Sequence, residues 1–178
     1  SAGDVDQLST VERLSFSDRL LAIDLDGHAG STAKLLGALF GKPYLSNKEI
    51  VGIGLGLLDS GLSYADLVGL ATRTDLFAQL AGSHGNTDFV KLVYKNVVGV
   101  APTAGDLNYF VGLLNDGTFT QATLGMLACE TDANKLHVDL VGLPAGHPVA
   151  VHATAGQDQV VAGGVARPVA PAVAAAAG

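Results

Sequence analysis

A mainly α-helical, duplicated multi-helix bundle is the fold class this sequence predicts, with short β elements at its N-terminal edge. Three observations point there. Hydrophobic residues make up 48% of the 178-residue chain while aromatics make up only 6% and Trp is absent, so the core must be built from Leu, Val and Ala, which suits closely packed helices. Between residues 31 and 143, Ser or Thr repeatedly precedes a helix-forming run and Gly follows it, the punctuation of N-caps and C-caps. The same region also repeats itself, at an offset of 58 residues that narrows to 56.

Residues 1–30 form an entry segment of strands and turns. Alternation at Leu14-Ser15-Phe16-Ser17 predicts one strand, and Leu20 to Leu25 predicts a second that ends at the Asp26-Gly27 turn pair. Residues 31–143 form the helical domain. Helix starts are expected near Ser31, Ser46, Ser63, Thr74, Thr87, Thr103, Thr120 and Thr131. Ser46 with Glu49, Ser63 with Asp66 and Thr103 with Asp106 have capping-box spacing. Stops are expected near Gly41, Gly61, Gly82, Gly99, Gly117 and Gly142, which makes about eight helices of ~8–14 residues.

The repeat divides this region into units of about 31–85 and 87–142. Leu35-Leu36-Gly37-Ala38-Leu39-Phe40-Gly41 lies opposite Val93-Tyr94-Lys95-Asn96-Val97-Val98-Gly99, and each is followed by a proline, Pro43 or Pro102. Gly56-Leu57-Leu58-Asp59-Ser60-Gly61 lies opposite Gly112-Leu113-Leu114-Asn115-Asp116-Gly117. So long a period describes a duplicated helical unit rather than a thin solenoid. Residues 144–178 are a tail rich in Ala, Val, Gly and Pro. Its last part, 165–178, leaves three readings open: disorder, a C-terminal secretion signal, or a strand lent to a neighbouring subunit.

A net charge of −7 lacks the electrostatic footprint of a nucleic-acid binder, and no apolar run reaches the eighteen or so residues of a membrane span. The single cysteine, Cys129, permits no disulfide framework. The first residues, Ser1-Ala2-Gly3-Asp4, show no signal-peptide pattern and read as the interior of a longer protein.

The sharpest candidate site is Asp24-Leu25-Asp26-Gly27-His28-Ala29-Gly30. Two carboxylates two residues apart before a glycine turn can present oxygens to calcium, with Asp18 completing the set in space. The rest of an EF-hand loop is missing, and the competing reading is a polar turn whose acids favour the N-terminal end of the following helix. Gly52, Gly54 and Gly56 stand within a helix begun at Ser46, so they read as a close-packing face and not as a nucleotide loop. Cys129, among Met126, Leu127 and Ala128, reads as a buried apolar side chain without a base. His147 and His152 have poor zinc spacing, and no elbow motif frames a serine. Tyr64, Tyr94, Tyr109 and Phe110 read as core, with Tyr109 the one expected to reach solvent.

Several ordered phrases across residues 10–140 resemble a known family. They are Val11-Glu12-Arg13-Leu14-Ser15-Phe16-Ser17-Asp18, Leu21 to Gly30, Ala38 to Pro43, Leu58 to Gly61, Asp88 to Gly99 and Ala101 to Phe110. The family is the bacterial domain of unknown function numbered four-two-one-four, found in RTX-type and S-layer-like secreted proteins, with a helical pattern similar to that of phycobilisome linkers. Where that family usually has Arg after the helix-ending Gly, this chain has Lys42 and Val100. Tyr44 and Thr103 replace its usual Asp after Pro, and Leu55 or Phe110 its usual Trp. Thr154 to Gly164 resembles a degenerate glycine-aspartate RTX repeat.

The resemblance implies a secreted, non-enzymatic structural or interaction module, exported by type I secretion and placed outside the cell or on its surface. Its partners would be other protein subunits, copies of itself or cell-surface polysaccharide, with calcium as the one cofactor to consider. Two further classes compete: an accessory domain of a secreted hydrolase, and a helical small-ligand or pigment-binding module. Converging pKa-perturbed groups in a cleft would favour the first, and a large apolar pocket the second.

Overall fold

A computed structural model of the chain describes residues 13–15, 20–22, 24, 26–138, 147–149 and 160–161. It is mainly helical. Eight α-helices are described: α1 (His28–Leu35), α2 (Lys48–Asp59), α3 (Tyr64–Ala71), α4 (Asp75–Ala81), α5 (Asn86–Val98), α6 (Ala104–Asn115), α7 (Gln121–Glu130) and α8 (Asp132–His137). A π-helical turn, Leu36–Phe40, continues α1, and a 3-10 turn, Lys42–Ser46, leads into α2. Four short strands, β1 (Arg13–Ser15), β2 (Leu20–Ala22), β3 (His147–Val149) and β4 (Val160–Val161), form a sheet of order β3-β2-β1-β4. β1 and β2 pair antiparallel with Leu14 opposite Leu21, β3 joins β2 antiparallel, and β4 runs parallel to β1.

The caps account for most helix boundaries. The Ser63, Thr74, Thr103, Thr120 and Thr131 hydroxyls each accept a hydrogen bond from a backbone N–H in the first turn, as their spacing predicts. Three starts move. α1 begins at His28 rather than Ser31, because the Asp24 carboxylate accepts from Ala29 N at 3.2 Å and caps the chain earlier. α2 begins at Lys48, since Ser46 falls in the 3-10 turn and Asn47 Oδ1 accepts from Glu49 N and Ile50 N. α5 begins at Asn86, one residue before Thr87, with Gly85 as its N-cap. Two expected capping boxes also differ. Ser63 and Thr103 donate to the Asp66 and Asp106 carboxylates, whereas the reciprocal box forms between Thr120 and Thr123. The stop expected at Gly142 lies outside the described residues.

The core sits around the π-helical turn, all five of whose residues are buried. Leu36 and Leu39 face α5 and α7, and Phe40 meets Phe77 of α4 edge-on at 6.3 Å. Phe77 in turn lies 5.8 Å from Phe89 of α5. These rings and Val51 and Val68 are almost fully buried, so Leu, Val and Ala side chains fill the space around a few aromatics. The glycines of α2 act in part as the sequence predicts, since nothing lies within 4 Å of a β-carbon at Gly56. Gly52 and Gly54 are buried, and a β-carbon at Gly54 would lie 2.9 Å from Cγ2 of Thr32, so the missing side chain lets α1 and α2 approach.

Element lengths recur along the chain. Residues 28–40 and 86–98 are both thirteen-residue helical stretches, the first ending in its π turn, and each is followed by a glycine of positive φ, Gly41 at 92° and Gly99 at 85°. α2 and α6 are both twelve residues long, offset by 56, and are followed by Gly61 and Gly117 at φ 95° and 80°. The caps Ser63 and Thr120, and Thr74 and Thr131, stand 57 apart.

Candidate functional site

Two of the three residues singled out for calcium, Asp24 and Asp26, are among the described residues. Asp24 is half-buried and acts as a cap: besides its carboxylate contact to Ala29, its carbonyl accepts from Gly27 N and Gly30 N at 3.0 and 3.1 Å. Its side chain lies against Gly27, where a β-carbon would meet Asp24 Oδ2 at 2.5 Å. Asp26 is exposed in the turn, and Asp18 lies outside the described residues. Next to this turn His28 Nδ1 contacts Asp59 Oδ1 at 2.6 Å, tying the start of α1 to the end of α2. Among the described residues no group of three or more His, Cys, Asp and Glu side chains is placed to hold a metal ion.

Cys129 is fully buried on α7. Burial is the main cause that pushes its thiol up to about 12, and the nearby Glu130 carboxylate adds to the shift. At neutral pH it is protonated and a poor nucleophile. Tyr64 packs beside it, and burial pushes the phenol well above its ordinary range. Lys34 closes this corner with a 2.6 Å ion pair to Glu130 Oε1 and lies 5.8 Å over the Tyr64 ring. Asn134, also fully buried, donates through Nδ2 to Lys34 O and Cys129 O, both at 2.9 Å. These contacts hold α1, α7 and α8 together.

An apolar cavity of about 350 Å3 lies between α5, α6 and α7. The sequence reading assigned these aromatics to the core and did not anticipate the space between them. α5 contributes Phe89, Val93, Tyr94 and Val97. α6 contributes Tyr109, Phe110 and Leu113 opposite, and α7 closes the third side with Leu124, Leu127 and Ala128. No charged side chain lines it, and Thr131 is its one hydroxyl besides the two tyrosines. The Thr131 hydroxyl is already engaged, donating to Ala128 O and accepting from Asn134 N.

Hydrogen bonds pin the surrounding helices at both ends of the α5–α6 pair. At one end Asn86 Nδ2 donates to Asn115 Oδ1 at 2.8 Å, and Gln121 Nε2 donates to Asn86 Oδ1 and His84 O. At the other, the Tyr94 hydroxyl and the Thr103 hydroxyl both donate to Asp106 Oδ2. Desolvation, then this hydrogen bond, raises the Tyr94 phenol above its ordinary value, so it stays a neutral donor.

Phe110 of α6 stands 56 residues after Gly54 of α2, and Val90 of α5 stands 58 after Thr32 of α1. Gly54 lets its helix close on Thr32, whereas Phe110 and Val90 both line the cavity. Large apolar side chains are exposed on α2, α3, α6 and α7. Ile53 and Tyr109 are 49% and 64% exposed, and Leu70 and Leu127 are 47% and 50% exposed. Tyr109 is thus the exposed aromatic the sequence predicts. No helix among the described residues is long and apolar enough to cross a membrane.

Residues 71–135 match the family model described as Domain of unknown function (DUF4214). That span contains all of α5, α6 and α7, the three helices around the cavity. No curated protein and no solved structure matches the chain.

Proposed function

We propose that this chain is a non-catalytic interaction module of a secreted, RTX-like or S-layer-like bacterial protein, that it is built from two copies of one helical unit, and that it associates with copies of itself. One observation carries the reading: four of the eight exposed large apolar side chains among the described residues fall in corresponding pairs, Ile53 with Tyr109 and Leu70 with Leu127. A solitary exposed Leu is ordinary, but apolar positions retained on the surface of both units point to a surface that binds.

The packing supports the duplication. Corresponding residues of two units related by a two-fold axis touch one another where they meet the axis. Asn96 Nδ2 donates to Ala38 O at 3.1 Å, and these residues stand 58 apart. A β-carbon at Gly125 would lie 3.2 Å from Val68, and those stand 57 apart. A surface with such internal symmetry suits isologous association, in which each patch meets its own counterpart. The placement outside the cell rests on the resemblance of the sequence to secreted proteins.

Light scattering over a concentration series tests the proposal. The chain carries a net charge of −7, so like copies repel. Association through apolar groups is expected to strengthen when salt shortens the screening length to ~8 Å near 0.15 M. A monomer at every concentration and salt level would refute self-association.

A further inference from the structure

We propose that the cavity between α5, α6 and α7 is a binding site for one uncharged hydrocarbon group of about a dozen carbons, sized against the benzene-binding apolar cavity of ~150 Å3. Its volume of about 350 Å3 falls in the range of small-ligand sites, roughly 300–1,000 Å3. The lining decides the chemistry of the guest. Its inner wall is made of buried Phe89, Val93 and Val97 and partly buried Phe110, Leu124 and Ala128, which offer no polar group. Of the three hydroxyls in the lining, Tyr94 donates to Asp106, Thr131 donates to Ala128 O, and Tyr109 stands at the exposed mouth, away from the buried wall. A polar guest would lose its hydrogen bonds to water and find none in return, and with no cationic side chain in the lining a carboxylate would have no counter-ion.

Two features mark the cavity as a site rather than a packing defect. The helices around it are tied at both ends by the Asn86–Asn115, Gln121–Asn86 and Tyr94–Asp106 hydrogen bonds, which keeps them from collapsing inward. At the corresponding place in the first unit, Gly54 brings α1 and α2 together, so the same backbone pattern closes when its residues are small. Phe110, 56 residues further on in α6, places a ring in the cavity lining instead. The mouth is framed by Tyr109 and Leu127, both at least half exposed, which gives an apolar guest a path from solvent.

Calorimetric titration of the whole chain with 1-decanol, with decanoate as the charged counterpart, tests this. Decanol should bind with one-to-one stoichiometry and a negative heat-capacity change, the mark of apolar burial, and decanoate should bind more weakly. Ala128→Phe places a ring in the cavity and should weaken decanol binding by roughly tenfold or more. Leu113→Phe enters from α6 and should weaken it similarly, which keeps the test decisive if one variant does not fold. Thermal stabilisation of the unaltered chain by decanol provides a readout that needs no variant. No binding, binding of many decanol molecules per chain, or binding unchanged in both folded variants would overturn the proposal. Because neither substitution alters Ile53, Tyr109, Leu70 or Leu127, loss of decanol binding with intact self-association separates this site from the proposed interaction surface.

Discussion

The glycines of α2 and α6 allow the packing to be tested at single-atom resolution. Gly54, Gly56 and Gly112 all lie inside helices, where replacing Gly by Ala gains about 1 kcal/mol of helix propensity. Their surroundings differ. A β-carbon at Gly54 would sit 2.9 Å from Thr32 Cγ2, and Thr32 is fully buried, while at Gly56 and Gly112 nothing lies within 4 Å. Gly112→Ala should therefore stabilise the fold by about 0.5–1 kcal/mol, raising the melting temperature by roughly 4 °C at most. Gly54→Ala gains the same propensity but overpacks the α1–α2 contact at a cost of ~1–3 kcal/mol, for a net change of about zero to 2 kcal/mol of destabilisation. Urea unfolding followed by far-ultraviolet circular dichroism measures both. Adding Thr32→Ser removes the Cγ2 methyl, so in a double-mutant cycle it should recover part of the Gly54→Ala loss. A Gly54→Ala variant as stable as Gly112→Ala would refute the close approach of α1 and α2.

Asp24→Ala removes the acceptor for Ala29 N and should cost about 1 kcal/mol, equally in calcium and in chelator; a loss seen only with calcium would assign Asp24 to a cation. Asn134→Ala removes two hydrogen bonds that join α1, α7 and α8 and should destabilise by roughly 2 kcal/mol, read from the urea midpoint. Cys129 should resist alkylation in the folded chain and label on unfolding, which mass spectrometry reports directly. Its thiol also predicts a pH dependence. Between its ordinary value of 9.0 and about 12 the unfolded chain releases a proton that the folded chain keeps. Stability is therefore intact below pH 9 and falls as pH rises, by up to ~1.4 kcal/mol per unit for this group, and Cys129→Ala should flatten the slope.

The helical region was largely legible because its punctuation is chemical and local. Ser63, Thr74, Thr103, Thr120 and Thr131 cap the helices they were expected to cap, and Gly41, Gly61, Gly82, Gly99 and Gly117 all adopt positive φ. The shifted starts of α1 and α2 have the same origin, since Asp24, seven residues before Ser31, and Asn47, next to Ser46, accept from backbone N–H groups instead. The buried Cys129 and exposed Tyr109 followed from their neighbours in sequence. The cavity did not. Phe89, Tyr94, Phe110 and Leu113 have helical spacing whether they fill a core or line a space, and the distance between helices depends on residues such as Gly54 and Phe110 acting across the fold.

Sedimentation equilibrium of the unaltered chain beside a Tyr109→Ser, Leu127→Ser variant tests the interaction role most directly. Both side chains are at least half exposed, so the variant should keep its fold and thermal stability. The unaltered chain should associate as concentration rises, and the variant should remain a monomer over the same range. Equal association of the two, or a strict monomer in both, would contradict the account.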